Sequence, residues 1–343
     1  MGHLTFDKNR KLDLIALGRV AIDFNPVDMY CTLVQSTTFK KYLGGSPANI
    51  SVGMTRLGKK AGFIGMVSKD RFGEYVTEYF KKEGIDVSHI VEAQNGESLG
   101  LTFTEIRSPS DSSILMYRND IADLSLTPDD VDEDYIKSAR LLLISGTSLA
   151  QSPSREAALK AMELAKKTGT PIVFDIDYRS YNWKSKDEIA VYYSVLGRNS
   201  DIILGSREEF DLMQGLTGPD TDDRKTAERW FAHGAKILVI KHGKEGSNVF
   251  TDDRTAYCVK PLPIKKLKGF GGGDAYASAF LYGLLEGWSV EQSLEFGNAS
   301  ASLLVASHSC SDAMPSVKQI QEYIDDCRKK YGGDVTKVEK STF

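Results

Sequence analysis

The segment "KGFGGGDAYASAF", residues 268–280, joins a cluster of glycines to the start of a helix. The backbone has no side chains at Gly271, Gly272 and Gly273. An acidic residue, Asp274, follows directly. Glycine costs backbone entropy, so a cluster indicates that something must approach the chain closely. Bare N–H groups at a helix N-terminus attract anions, because the positive end of the helix dipole lies there. The segment therefore predicts an anion-binding loop.

Asp274 conflicts with a simple anion site, because a carboxylate repels phosphate. The conflict disappears if Asp274 takes a proton from a hydroxyl that attacks a phosphate held by the loop. An acid in the first turn of a helix is also ordinary, and the loop alone does not decide between these explanations. No G-x-x-x-x-G-K-[ST] motif occurs, and the third glycine of a dinucleotide fingerprint is absent. Familiar phosphate motifs therefore do not explain the loop.

Around this segment, short apolar runs alternate with helical patterns. Strands are predicted at 12–18, 61–67, 140–145, 171–176, 201–204, 236–240 and 247–250. Helices are predicted at 46–58, 71–84, 153–168, 186–198, 206–214, 223–233, 273–286, 290–306 and 315–330. Ser46 is the expected N-cap of the first helix, and the polar tail 331–343 is expected to fray. The alternation predicts an α/β fold with a mostly parallel central sheet covered on both faces.

Two β-rich stretches, 20–40 and 98–118, do not fit this alternation. The second has the pattern of a hairpin around a Ser/Pro/Asp turn. We expect both stretches to form a small sheet that acts as a lid beside the main sheet. The chain has 343 residues, a length that allows about two domains or one large domain with an appendage. We predict a single domain, 1–343, with the lid inserted in it.

The composition excludes several classes of partner. The formal net charge is -4, with 43 basic and 47 acidic residues mixed along the chain, so no basic block indicates nucleic acid or an anionic membrane. No apolar run approaches membrane-spanning length. The five histidines are isolated, which argues against a zinc site made by the protein alone. Four scattered cysteines indicate free thiols in a reducing cytoplasm, where we expect the protein to act.

Five further segments lie after predicted strands or before a predicted helix, the places where ligands bind in α/β sheets. They are "GRVAID" (18–23), "GGSPAN" (44–49), "FDIDYRSYNW" (174–183), "GSREEF" (205–210) and "KHGKEGS" (241–247). Each has an ordinary explanation as a tight turn, a helix cap or a loop salt bridge. Their common position at the strand ends places them around the same site as the anion-binding loop.

Together these segments resemble the ribokinase-like, or PfkB, carbohydrate kinase family, from about residue 12 to about residue 330. The "GGGD" of 271–274 resembles the G-A-G-D signature of that family. The early G-G-x-x-x-N of the family appears in "GGSPAN", and its N-x-x-E element keeps the acid but has serine in place of asparagine. The resemblance implies a three-layer ribokinase-like sandwich with a β lid, ATP as the phosphoryl donor, and Mg²⁺.

The resemblance also implies a role for individual residues. Asp274 would be the catalytic base, beside the anion hole of Gly271, Gly272 and Gly273. Substrate-binding roles fall to Asp23, Gly44, Gly45, Asn49, Arg118 and Arg179, and nucleotide-binding roles to Ser206, Lys241, Gly243, Gly246 and Asn298. Glu209 would position Mg²⁺ through water.

The two arginines favour an acidic acceptor, since a guanidinium group pairs with a carboxylate through two hydrogen bonds. Within the family, the resemblance is greatest to the bacterial branch that phosphorylates the 6-hydroxyl of 5-dehydro-2-deoxygluconate in myo-inositol breakdown. Phosphorylation of 2-keto-3-deoxygluconate or fructose stays open, as does a sugar-responsive binding protein without catalysis. We also expect a homodimer formed through the lid.

Lys268 makes a potassium ion doubtful. Many relatives carry an aspartate of a potassium site six residues before the catalytic aspartate, and this chain has Lys268 there. Either its ammonium group replaces the ion, or Lys268 points into solvent beside Lys265 and Lys266.

Overall fold

The computed structural model describes residues 4–218 and 220–343. Its strands are β1 (Leu14–Leu17), β2 (Ala21–Pro26), β3 (Phe39–Gly44), β4 (Ala61–Val67), β5 (Asp86–Glu92), β6 (Gly100–Ser108), β7 (Asp111–Tyr117), β8 (Leu142–Ser145), β9 (Ile172–Asp175), β10 (Ile202–Ser206), β11 (Ile237–Lys241), β12 (Ser247–Thr251), β13 (Thr255–Val259) and β14 (Glu339–Thr342). Its α-helices are α1 (Ser46–Arg56), α2 (Arg71–Lys82), α3 (Glu133–Lys137), α4 (Ser154–Thr168), α5 (Lys186–Gly197), α6 (Arg207–Met213), α7 (Asp223–Phe231), α8 (Gly272–Glu286), α9 (Val290–Val305) and α10 (Val317–Tyr331).

Ten strands form the central sheet, in the order β14-β13-β12-β11-β10-β9-β8-β1-β4-β5. The strands from β5 to β11 in this order are parallel, and β12, β13 and β14 are antiparallel to their neighbours. Strands β1, β4, β8 and β9 are buried along their whole length, as expected for a sheet covered on both faces. The predicted α/β class with a mostly parallel sheet is confirmed.

Helices cover both faces of this sheet. On one face, α1, α2, α8 and α9 pack in a core that contains Phe63, Phe80 and Phe280. On the other face, α3 to α7 pack in a second core that contains Phe174 and Phe210. Burying each of these aromatic side chains contributes on the order of 2 kcal/mol or more. The layers fix the carboxyl ends of the parallel strands at one edge, where the predicted site residues lie.

A second sheet, which we call the lid, has the strand order β3-β2-β6-β7. Its β2–β6 pair is parallel, and its other pairs are antiparallel. Strands β2, β6 and β7 lie within the two stretches that did not fit the α/β alternation, whereas β3 begins at the end of the first stretch and extends four residues beyond it. The hydroxyl of Ser112 lies 3.2 Å from the N–H of Gly269, and the hydroxyl of Tyr181 lies 3.4 Å from the N–H of Met116. The lid therefore touches both the glycine loop and the loop that follows β9.

Two sequence predictions are wrong. The tail 331–343 contains β14, which pairs with β13 from Thr255–Thr342 to Cys258–Glu339, so backbone hydrogen bonds hold a strand whose side chains are exposed. Ser46 is not the N-cap of α1: Gly45, with φ 102°, takes that position and Ser46 begins the helix. Strands β5 (DVSHIVE) and β13 (TAYCV) were also not predicted. Within 4–218 and 220–343, no helix combines the length and the apolar character that crossing a bilayer requires.

Candidate active site

Two cavities meet at the glycine loop. The first, of about 470 Å³, is lined by the turn after β11 and by residues of α9, and the second, of about 490 Å³, is lined by the ends of β9 and β11 and by the lid. Lys241, Gly271 and Gly273 line both cavities. We call the first the donor cavity and the second the acceptor cavity. Groups bound in the two cavities would face each other across the loop.

The glycines of the loop are required by close contacts. Gly271 is the N-cap of α8 with φ 84°, and a Cβ there would lie 2.4 Å from Sγ of Cys310. A Cβ on Gly272 would lie 2.9 Å from a methyl group of Val305. No other residue type fits these positions without movement, since both distances are shorter than real Cβ contacts. The packing thus holds the bare N–H groups of α8 at the junction of the cavities.

Asp274 lies at this junction, in the first turn of α8. Its carboxylate accepts hydrogen bonds of 2.8 Å from the Ser46 hydroxyl and of 2.8 Å from the Asn49 amide, both on α1. Burial raises the pKa of Asp274, and the charge of Asp177 raises it further, while the bonds from Asn49 and Ser46 and the charge of Arg179 lower it. The carboxylate is therefore a stronger base than an aspartate in water, and two donors hold its orientation.

Ser46 joins Asp274 to a second carboxylate. Its hydroxyl lies 2.8 Å from Asp175 at the end of β9, as well as 2.8 Å from Asp274. A hydroxyl has one hydrogen, so it donates to only one of the two at a time. Both contacts are hydrogen bonds when one carboxyl group keeps a proton and donates it to Ser46. Burial raises the pKa of Asp175 to about 7, against the opposing charge of Lys241, so Asp175 can carry this proton near neutral pH.

Asp177 and Arg179 form an ion pair next to these residues, with 2.8 Å between the carboxylate and the guanidinium group. Asp177 also accepts a hydrogen bond of 3.1 Å from the Ser145 hydroxyl. Its φ of 38° is left-handed, a conformation that asparagine and aspartate adopt more readily than other residues with side chains. This backbone turn directs the loop after β9 into the acceptor cavity, and strained residues of this kind cluster at functional sites.

Lys241 and Glu209 complete the charged groups at the junction. A Cβ on Gly273 would lie 3.4 Å from Nζ of Lys241, so the ammonium group lies against the loop. Burial lowers the pKa of Lys241, but the carboxylates of Asp175 and Glu209 and their acidic neighbours outweigh this effect and raise it. The lysine therefore remains charged and can attract a phosphate at the point where the cavities meet.

Both carboxylate oxygens of Glu209 accept hydrogen bonds from backbone N–H groups. The N–H of Tyr178 donates at 2.8 Å and the N–H of Ser206 at 2.6 Å. Ser206 in turn caps α6 by accepting from the N–H of Glu209, which forms a capping box. Ser206, predicted to bind nucleotide, thus has a structural contact that fixes Glu209. Its role toward nucleotide stays a prediction.

The residues present fit a Mg²⁺ ion that arrives with a nucleotide. Mg²⁺ prefers oxygen ligands and commonly binds through one or two carboxylates, several waters and substrate phosphates. Glu209, Asp175 and Asp177 all line the acceptor cavity. In the part of the chain that the structure describes, no group of three or more His, Cys, Asp or Glu residues forms a metal site by itself. Because the oxygens of Glu209 are engaged, contact through water suits it better than direct coordination.

The predicted sugar-binding residues lie together on the other side of Ser46. A Cβ on Gly44 would lie 2.1 Å from the Asp23 carboxylate, and a Cβ on Gly45 would lie 2.4 Å from the Arg19 carbonyl oxygen. The two glycines therefore let β2 and the segment after β1 approach the turn before α1. Burial raises the pKa of Asp23, although the charge of Arg19 and a hydrogen bond from Thr102 lower it.

The two arginines predicted to hold a carboxylate already have acidic partners. Arg118 is buried and pairs at 2.8 Å with Asp123, itself almost fully buried. Arg179 pairs with Asp177 and lines the acceptor cavity. Arg19, which the sequence analysis did not single out, is a third buried arginine in this region.

The donor cavity contains the remaining predicted nucleotide residues. Gly243, Gly246 and Asn298 all line it. Gly246 has φ 105°, and a Cβ there would lie 1.9 Å from the Val259 carbonyl oxygen, so the turn requires glycine. The Asn298 amide donates to the Lys260 carbonyl at 2.8 Å, which leaves its oxygen available.

Sequence reasoning missed Ser46, Asp175 and Arg19 as site residues. Ser46 had the signature of a helix cap, and its two carboxylate partners lie 129 and 228 residues away along the chain. Asp175 and Arg19 offered a positional signal, because each lies at the end of a buried strand. That signal was present in the quoted segments, but it did not distinguish these residues from their neighbours.

Comparison with known proteins gives a consistent result. The model of the pfkB family carbohydrate kinases matches residues 11–317. A 5-dehydro-2-deoxygluconokinase of Clostridium perfringens is 65% identical over 332 residues, which cover 97% of this chain and 98% of that protein. One of Geobacillus kaustophilus is 50% identical over 328 residues, covering 96% and 98%. A putative ribokinase II of E. coli, solved with ATP and Mg²⁺, superposes with a TM-score of 0.82 at 21% identity, covering 92% of this chain and 99% of that one.

Proposed function

Because this chain belongs to the pfkB family of carbohydrate kinases, we propose that it transfers the γ-phosphoryl group of ATP to the 6-hydroxyl of 5-dehydro-2-deoxygluconate. The observation that carries this proposal is the meeting of two cavities at a helix N-terminus with Asp274 at the junction. Relatives that are 50–65% identical over nearly the whole chain have the name of this activity. The fold is that of a neighbour solved with ATP and Mg²⁺.

In this proposal the glycine loop holds the phosphoryl group during transfer. The transition state of phosphoryl transfer is loose, so catalysis depends on positioning and on stabilising charge. The N–H groups at the start of α8 and the ammonium of Lys241 supply positive charge at the point where both cavities open. Bound Mg²⁺ would neutralise phosphate charge, with Glu209 holding its waters. The fold holds the N–H groups of α8 and the side chains of Lys241 and Glu209 in place before substrate binds. Electrostatic catalysis requires such an arrangement.

Asp274 acts as the base. As the acceptor oxygen bonds to phosphorus, its proton passes to the Asp274 carboxylate, and the bond from phosphorus to the leaving oxygen of ADP breaks. Ser46 and Asn49 hold the carboxylate so that one lone pair can face the acceptor cavity. A raised pKa favours this step, because a base works best when its pKa approaches the pH of the reaction.

The acidic character of the acceptor separates fructose from the other two candidate substrates. Arg179 lines the acceptor cavity, and a carboxylate is the substrate group that guanidinium groups bind best. A neutral hexose such as fructose lacks this group. This observation favours the two acid sugars over fructose, and the name of the relatives that are 50–65% identical places 5-dehydro-2-deoxygluconate before 2-keto-3-deoxygluconate.

The test is acceptor-dependent release of ADP from ATP and Mg²⁺. The three candidates are compared at equal concentration, and the position of the phosphate in the product is read by ³¹P–¹H NMR. We expect the highest kcat/KM with 5-dehydro-2-deoxygluconate and a 6-phosphate product. A higher value for either other sugar would reassign the substrate. Binding of acid sugar without turnover of any of them would support a sugar-responsive binding protein instead.

A further inference from the structure

Arg19 is a buried arginine that forms no ion pair within the described part of the chain. It lies two residues after β1, and only 4% of its surface is exposed. Within 4–218 and 220–343, its Nε has no hydrogen-bond partner and no carboxylate lies within ion-pair distance of its guanidinium group. The other two arginines of the region differ from it, because Arg118 pairs with Asp123 and Arg179 pairs with Asp177.

A buried guanidinium group without an ion-pair partner destabilises the folded protein. Burying a charge removes its hydration, and only a partner of opposite charge with good geometry recovers that loss. Burial lowers the pKa of Arg19, and the more distant carboxylates of Asp177 and Asp23 raise it against the repulsion of Arg179 and Arg118. The protein therefore keeps an incompletely compensated guanidinium group in its interior. An anionic ligand would supply the negative charge that the guanidinium group of Arg19 lacks.

Arg19 lies behind residues that line the acceptor cavity. The charged groups that act on it are Asp177, Arg179, Arg118 and Asp23, and of these Asp177 and Arg179 line that cavity. Its carbonyl oxygen lies against Gly45, directly before Ser46, in the turn that precedes α1. Of the three guanidinium groups, Arg19 alone forms no ion pair with a carboxylate of the described chain.

We propose that Arg19 binds the carboxylate of the acid sugar and is the residue that selects an acid sugar over a neutral one. This proposal rests on the proposed function, which it refines by assigning the carboxylate to a residue. The planar guanidinium group offers paired N–H donors that match the two oxygens of a carboxylate. Arg179 and Arg118 then orient the sugar while their own charges stay paired. The carboxylate end of the sugar lies at Arg19 and the hydroxyl that reacts lies at Asp274.

The test uses two ligands that differ only at the first carbon. D-Gluconate has a carboxylate there and D-glucitol has an alcohol, and neither requires turnover to be measured. Calorimetry in the presence of Mg²⁺ and a non-hydrolysable ATP analogue gives both dissociation constants. We expect the wild-type protein to bind gluconate more tightly than glucitol, and Arg19→Met to reduce that preference by about 10²-fold, as for truncation of one partner of a buried charge pair. Arg19→Lys keeps the charge but loses the paired donors. Its preference for gluconate should therefore lie between that of the wild type and that of Arg19→Met.

Thermal unfolding of the ligand-free protein separates a binding role from a structural one. Removing an unpaired buried charge should leave the Tm of Arg19→Met equal to that of the wild type or higher. The matched control is Arg140→Met, since Arg140 is also buried but pairs with Asp13 at 2.6 Å, away from the site. That variant should lose Tm and keep the gluconate preference.

Three results would overturn the assignment. They are a wild-type protein without preference for gluconate, an Arg19→Met variant that keeps the preference, and an Arg19→Met variant with a lowered Tm and equal losses for both ligands. Failure of the proposed function is distinguishable, because it would appear as a wild-type protein that prefers gluconate but phosphorylates none of the candidate acid sugars.

Discussion

Asp274 is a buried carboxyl group whose charged form burial disfavours. Burial raises its pKa, and the hydrogen bonds from Asn49 and Ser46 oppose that effect. A base in this position has increased affinity for a proton and still has a fixed orientation. The residue is therefore suited to one proton transfer rather than to structural support, since an ordinary acid in a first turn would face solvent.

Asp274→Asn tests the base directly. The introduced amide can still accept from Asn49 and donate to the Ser46 hydroxyl, so the network around it survives. We expect kcat to fall by roughly 10²–10⁴-fold, the usual loss when a general base is removed. Binding of an ATP analogue, measured by calorimetry, should change little. Turnover close to the wild-type rate would remove Asp274 from its proposed role.

The raised pKa of Asp175 predicts how the free energy of unfolding depends on pH. Its pKa is raised to about 7 by burial from an ordinary value of 3.8. Between these two values the unfolded chain has lost the proton and the folded chain keeps it, so unfolding releases a proton. Stability therefore falls as pH rises through this window, by at most about 1.4 kcal/mol per pH unit from this group.

Asp175→Asn should flatten that dependence, because the introduced amide does not titrate. Urea unfolding of the ligand-free protein at pH 5, 6, 7 and 8 gives the slope for each variant. Asp111→Asn, which removes an exposed carboxylate of the lid, is the control and should keep the wild-type slope. Equal slopes for Asp175→Asn and the wild type would show that Asp175 is ionised across this range.

At the scale of elements, the sequence predicts the parts of the fold that local pattern controls. The apolar runs of β1 and β4 and the helix from Gly272 follow from burial and from the glycine loop, and the structure has them within two residues of prediction. Strand β14 could not be found in this way, because all four of its residues are exposed and only its pairing with β13 makes it a strand. Contacts that join distant segments, such as Ser46 with Asp175, depend on the packing of α1 against the sheet and leave no local pattern.

The environment of Lys268, between β13 and α8, also depends on distant contacts that leave no local pattern in the sequence. The possibility that this side chain points into solvent is wrong, because it is fully buried. Its ammonium group donates to the Ser309 carbonyl at 2.8 Å and to Sγ of Cys310 at 3.1 Å, and lies 4.9 Å from the Phe270 ring centre. It thus joins the glycine loop to the loop that follows α9.

We therefore expect activity to be independent of potassium. Initial rates should be the same in sodium and potassium at constant ionic strength, because Lys268 already supplies a charge and three donors. Lys268→Met should lower the rate by loosening the loop, whereas Lys265→Met, an exposed lysine of the same segment, should not. Activation of the wild-type enzyme by potassium of several-fold would contradict this expectation and would require an ion site built without residue 268.

At the scale of the whole molecule, the lid exposes apolar surface. Of the eight large hydrophobic residues exposed in the described ranges, five belong to the lid and its connecting loop: Val27, Tyr30, Val34, Leu115 and Tyr117. Val34 is 97% exposed. Strand β7 also forms an open edge of its sheet. Apolar patches and open strand edges on one surface are typical of an interface between protein chains.

We accordingly predict a homodimer that forms through the lids. Light scattering at micromolar concentration should give twice the chain mass of 37.9 kDa. Val34→Glu combined with Leu115→Glu should produce monomers, whereas Val191→Glu, at an exposed position on α5 outside the lid, should not. A wild-type protein that stays at 37.9 kDa would rule out this assembly under these conditions.

The dimer also has a predicted consequence for catalysis. Side chains alternate along β7, so Leu115 and Tyr117 face outward while Ile114 and Met116 line the acceptor cavity. An interface on the outer face would therefore hold the inner face over the acceptor sugar. The monomeric variant should raise the KM for the acid sugar several-fold and leave the KM for ATP nearly unchanged, because the donor cavity has no lining residue from the lid. Equal increases in both constants would indicate general loosening of the fold rather than loss of lid support.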